Sequence, residues 1–88
     1  MTTQLQALIA DKGPRIEVGR RAFTVEGVSS DGDIAVATLL ATRAKYTAVL
    51  CPGTRIPSRP GAECWSVVTN RGTLCEFAVH EGQVLAIN

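Results

Sequence analysis

The chain has 88 residues, 45% of them hydrophobic and 19% charged, with a formal net charge of +1. That composition fits one folded domain and excludes a disordered tail. The near-zero charge excludes the global basic field of a strong nucleic-acid binder, and at this length the core is small.

Residues 3–12 predict a short helix. Thr3 followed by Gln6 fits a capping box, in which hydroxyl and amide each satisfy an end-of-helix N–H. Leu5, Leu8 and Ile9 share one face, and Gly13-Pro14 ends the helix. After Pro14 the hydrophobic period becomes two. Arg15–Val18 and Arg21–Val28 alternate about Gly19-Arg20, and a two-residue loop there sets Ile16 opposite Phe23 and Glu17 opposite Ala22. Ser29-Ser30-Asp31-Gly32-Asp33 reads as a turn. Ile34–Ala41 mixes helix formers (Ala35, Ala37, Leu39) with strand formers (Ile34, Val36, Thr38), and a strand is preferred. Thr42–Lys45 makes a tight connection to a strand at Tyr46–Cys51. Residues 52–63, with three prolines and two glycines, form one long loop.

The remainder predicts a meander. A three-residue loop at Asn70-Arg71-Gly72 sets Trp65 opposite Phe77, Val67 opposite Cys75 and Thr69 opposite Thr73. On the other face Val68 meets Leu74, Ser66 meets Glu76 and Cys64 meets Ala78. A turn at Glu81-Gly82 pairs Val79 with Val84 and Ala78 with Leu85. Both faces then carry apolar residues, so the second face needs a cover: the helix or another chain. The fold class is α+β: a short N-terminal helix packed on a curved antiparallel β-sheet or small open β-barrel of six or seven strands, one domain over residues 1–88.

No residue set points to catalysis. Cys51, Cys64, Cys75 and His80 lack the tight knuckle of a zinc site, and the hairpin register puts Cys64 and Cys75 on opposite faces. The cysteines read as small buried hydrophobes, and neither metal nor cofactor is expected. Cys64-Trp65 lacks the context of a papain-like nucleophile. His80 reads as a solvated turn residue. Glu17, Glu26, Glu63 and Glu76 read as scattered surface charges, and the isolated glycines cradle no phosphate. Pro57-Ser-Arg-Pro60 is a single Pro-x-x-Pro match. The N-terminus lacks the features of a secretory signal. No segment approaches the ~18–20 apolar residues of a membrane span. The expectation is a cytoplasmic protein, not an enzyme, with reduced thiols.

The charges fall on turns. In a meander alternate turns share one end of the sheet. Arg20, Arg21, Arg43, Lys45 and Arg71 lie on the first, third and fifth turns; Asp31, Asp33 and Glu81 lie on the second and sixth. Arginine offers a planar fork for carboxylate or phosphate. Those five cations, with Arg55 and Arg59 of the long loop, are the candidate partner-binding residues. Nucleic acid is the alternative ligand, although the few aromatics, mostly core-like, offer little for bases to stack on. A second copy could pair through the second apolar face.

The segment Gly32-Asp-Ile-Ala-Val-Ala-Thr-Leu-Leu-Ala-Thr-Arg-Ala-Lys-Tyr-Thr-Ala-Val-Leu50 resembles a motif of small orphan accessory proteins of phages infecting GC-rich actinobacteria: a strand, a short Arg-containing turn and a Tyr-led strand. The preference for arginine, alanine, glycine and proline over lysine also suits a GC-rich genome. The resemblance implies a phage-encoded accessory protein that binds a host protein in the host cytoplasm.

Overall fold

The computed structural model describes residues 3–31, 34–52, 56 and 58–87. Helix α1 spans Gln4–Lys12. The strands are β1 (Arg15–Val18), β2 (Arg21–Asp31), β3 (Ile34–Leu40), β4 (Lys45–Leu50), β5 (Glu63–Thr69), β6 (Gly72–His80) and β7 (Gln83–Ile87). They form one antiparallel sheet in sequence order, β1 to β7. The sheet curls until its edges meet: a carbon added to Gly19, after β1, would lie 3.8 Å from Cβ of Ala86 in β7. The result is an α+β domain, one short helix on a seven-stranded, nearly closed barrel.

Period-two alternation builds the interior. β1 buries Ile16 and Val18, β2 buries Phe23 and Val25, and β3 buries Ala35, Ala37 and Leu39. Residues 34–40 are therefore strand, and Ile16 faces Phe23 as expected. At the centre Trp65 and Phe77, both 0% exposed, stack with planes 10° apart and centroids 6.4 Å apart. Phe23 meets Tyr46 edge-on at 6.0 Å.

α1 closes one end of this barrel. Thr3 Oγ1 accepts the Gln6 N–H at 3.0 Å and Gln6 Oε1 accepts the Thr3 N–H at 2.8 Å, completing the capping box. Leu5 and Leu8 join the barrel's own core cluster. The helix's far end is tied by Lys12 Nζ, which donates to the Gly82 carbonyl at 2.7 Å. α1 enters β1 from the end that carries the β2–β3, β4–β5 and β6–β7 connections; these make the helix-capped rim. The β1–β2, β3–β4 and β5–β6 turns make the far rim.

Several local expectations are corrected. Ser29, Ser30 and Asp31 belong to β2 and are not a turn; residues 32–33 lie outside the described residues. The β3–β4 connection is residues 41–44, so Lys45 belongs to β4. The long loop ends at Ala62, because Glu63 opens β5. The β5–β6 hairpin keeps Trp65–Phe77 and Val67–Cys75, but then shifts register: Val68 pairs with Thr73 and Thr69 with Gly72. Gly72 has the expected positive φ, 114°. Leu74 is left as the extra residue of a bulge and packs against the barrel core, away from the outer face. The β6–β7 turn is as expected, with Val79 opposite Val84 and Ala78 opposite Leu85.

Part of the apolar outer face is covered within the chain, by the long loop and not by the helix. Cys64 and Ala78 are buried beneath the protein's own loop, through Ala62 and Ile56. Arg59 N–H bonds to the Ile56 carbonyl, and Ala62 N–H to the Arg59 carbonyl, each at 2.9 Å. These successive tight turns replace the extended helix that a Pro-x-x-Pro ligand would need; Pro57 itself lies outside the described residues.

Candidate functional site

The meander assigns four of the predicted cations to the far rim. Arg20 sits in the first turn and Arg21 follows it, Arg43 sits in the third and Arg71 in the fifth, and all four are exposed. Among the described residues none of these four side chains forms a hydrogen bond or ion pair. Gly19, with φ 61°, supplies the left-handed residue that the tight first turn needs. Arg21 pairs with Val18, whose side chain faces the barrel interior, so Arg21 also rises on the inner side. It therefore stands at the edge of the barrel mouth.

An electrostatic effect places Arg21 near Cys75 of β6. Burial pushes the Cys75 thiol above its ordinary range, the Arg21 guanidinium pulls it back, and Glu76 pushes it further up. Thiols react as thiolates. Arg21→Glu is therefore expected to slow alkylation of Cys75 at mildly alkaline pH, measured by peptide mapping of the modified protein. An unchanged rate would place Arg21 away from the thiol.

The remaining predicted residues are placed differently. Lys45 opens β4 just after the third turn but lies on the outer wall and pairs with Glu26 at 3.7 Å, an exposed contact worth at most ~1 kcal/mol. Arg59 is at the helix-capped rim, where its Nη1 lies 3.4 Å from His80 Nδ1. Arg55 lies outside the described residues, as does Asp33. The opposite rim is thus not simply acidic: Asp31 and Glu81 share it with Lys12 and Arg59.

Three polar residues contradict their surface reading. The His80 side chain is only 18% exposed, because the long loop folds against it. Its Nε2 lies 3.9 Å from Glu81 Oε1. Glu63 accepts three hydrogen bonds: from Gln4 N–H at 2.9 Å, Leu5 N–H at 3.0 Å and Trp65 Nε1–H at 2.9 Å. It binds α1 to the barrel. Glu76 accepts from Ser66 Oγ at 2.7 Å, and that oxygen lies 3.2 Å from Cys51 Sγ.

The Cys51–Ser66–Glu76 chain lies on the outer wall, from the residue after β4 across β5 to β6. A cleft of about 310 Å³ runs along β1, β2 and β3 past Arg15, Thr24 and Thr42; it offers hydroxyls with no base beside them. A second, of about 330 Å³ between α1 and the β6–β7 turn, offers Asp11 and Glu81 with no hydroxyl or thiol. Among the described residues no three His, Cys, Asp or Glu side chains gather as a metal would require. No helix among them is long and apolar enough to cross a membrane. What the arrangement offers is a rim of exposed guanidinium groups at one end of a rigid barrel. No known protein family, curated protein or solved structure matches the chain.

Proposed function

We propose that this chain is a non-enzymatic protein-binding module, a phage-encoded accessory protein that docks its far rim onto an acidic surface of a host protein in the host cytoplasm. The observation that supports this reading is the set of four arginines, Arg20, Arg21, Arg43 and Arg71, exposed at or beside three turns of one rim with no carboxylate engaged among the described residues. Tight turns of a nearly closed sheet hold the backbone that carries these charges in place, and guanidinium forks match carboxylates. A nucleic-acid partner has less support, because Phe23, Trp65 and Phe77 are buried and Tyr46 packs against Phe23. Few aromatic faces are left for bases to stack on.

The test starts from affinity capture in an actinobacterial host lysate and continues with the purified partner. In the variant Arg21→Glu, Arg43→Glu, Arg71→Glu the fold should persist by circular dichroism, since exposed substitutions each change stability by about 0.5 kcal/mol or less. Association with the partner should slow by roughly tenfold or more at low salt, and the difference should shrink as salt screens the charges. Equal binding of variant and wild type at all salt concentrations would overturn the rim assignment. Recovery of nucleic acid in place of protein, with affinity falling steeply in salt, would favour the alternative.

A further inference from the structure

β2 is longer than β1 can cover. β1 pairs only with Arg21–Thr24, and the last bond on that side runs from Val25 N–H to the Pro14 carbonyl at 2.8 Å. A register shift at Glu26 then bends the strand. Beyond it Gly27–Asp31 pair with β3 on one side. On the other side no backbone hydrogen bond is formed by Glu26–Asp31 among the described residues. That leaves an edge of six residues, about 20 Å of strand, of which only Val28 is half-buried. Proteins ordinarily blunt such an edge with lysine, proline or a covering segment. Here the edge itself holds no lysine or proline; Asp31 stands at one end, and Glu26, paired with Lys45 of β4, at the other. A carbon built on Gly27 would meet no atom within 4 Å, so the wall beside it is open. Ile34, paired with Asp31 on the neighbouring strand, is 66% exposed.

We propose that the free edge of β2, Glu26–Asp31, receives an extended basic segment of a partner protein as an eighth strand. The edge amides and carbonyls supply the main-chain bonds of strand addition. The Asp31 carboxylate selects a lysine or arginine side chain, Glu26 being already engaged by Lys45 of β4 at 3.7 Å, and the open space beside Gly27 admits a large one. A second copy is the poorer occupant. Antiparallel self-pairing along the whole edge sets Glu26 of each copy against Asp31 of the other, and like charges directly opposite are destabilising. The site lies on the helix-capped side and is independent of the arginine rim.

The experiment titrates the whole ¹⁵N-labelled chain with a peptide of about eight residues alternating lysine and valine. Parallel titrations use the same peptide with glutamate for lysine, and the lysine peptide with alternate backbone amides N-methylated. The lysine peptide should shift amides within residues 26–31 and slow their hydrogen exchange. The glutamate and N-methylated peptides should bind roughly tenfold or more weakly. Asp31→Lys, at an exposed position, should keep the circular dichroism spectrum and weaken the lysine peptide about three- to tenfold. Absence of saturable shifts at 26–31 up to about 1 mM peptide, equal binding of all the peptides, or shifts confined to other strands would overturn the proposal. So would shifts at 26–31 that grow with protein concentration alone, which would make a second copy the occupant.

Discussion

Trp65→Ala is expected to cost about 3–5 kcal/mol of folding free energy, the largest loss among single core substitutions. Trp65 has 0% exposure, stacks on Phe77 across the β5–β6 pair and shares a cluster with Leu5 and Leu8 of α1. Truncation removes the largest side chain of a small core and opens a cavity walled by both the sheet and the helix. It also leaves Glu63 with one fewer donor, since the indole N–H bonds to Oε1. A domain of this size has a stability of roughly 5–10 kcal/mol, so the loss removes about a third of it or more. Trp65→Phe separates the parts: it keeps most of the volume and loses the indole N–H, so its cost should be about half or less. Chemical denaturation of the three proteins reads this directly. A loss below about 1 kcal/mol for Trp65→Ala would mean that the cavity collapses and that the helix does not depend on the indole.

Most of the architecture was legible because turn chemistry and period-two patterning agree over most of the chain. Gly19-Arg20 and Glu81-Gly82 set registers that also put the apolar residues on one face, and both are observed. The errors have local causes. Ser29-Ser30-Asp31 has turn composition, but pairing with β3 carries these residues on as strand. Gly72 was read as the third residue of a loop. The shift that follows puts the extra residue at Leu74, which composition alone cannot place between Thr73 and Cys75. The long loop folds back through Ile56 and Ala62 over Cys64 and Ala78. Prolines forbid regular structure without saying which surface an irregular segment will cover.

The candidate sites were legible in proportion to how local they are. The four rim arginines depend only on turn parity, which the meander preserves. Lys45 engages Glu26 on the outer wall, a contact made across the bulge in β2 that turn parity does not reveal. Arg59 is set by the loop's fold toward His80, which parity does not reveal either. The free β2 edge was hidden by the premature end assigned to that strand. Glu63 was hidden for another reason: its partners Gln4 and Leu5 stand 59 and 58 residues away in the chain. One signal was available. α1 has no acidic residue in its first turn, so its N-terminus lacked a local counter-charge and a carboxylate from elsewhere could serve.

Glu63→Leu is therefore expected to be the most damaging substitution of a charged residue, at about 2–4 kcal/mol. The Glu63 carboxylate accepts the N–H groups of Gln4 and Leu5, the first and second residues of α1, while Thr3 takes that of Gln6. Its third donor is the Trp65 indole. Leucine can occupy the space, but it leaves those donors without an acceptor beside a buried core, and an unmet buried donor costs more than a made bond returns. It also removes a negative charge from the positive end of the helix. The expected result is partial release of α1: amides of residues 5–12 should exchange faster with solvent, while β5 and β6 amides lose only the global stability change. Glu63→Gln keeps one accepting oxygen but turns an NH₂ group toward the remaining donors, so it should lie between wild type and leucine. A cycle with Trp65→Phe should show coupling of about 0.5–3 kcal/mol, because the two side chains share one bond. The helix–barrel clamp would be disproved by a leucine variant within about 0.5 kcal/mol of wild type whose α1 amides exchange at unchanged rates. Lys12 and the packing of Leu5 and Leu8 would then hold the helix without Glu63.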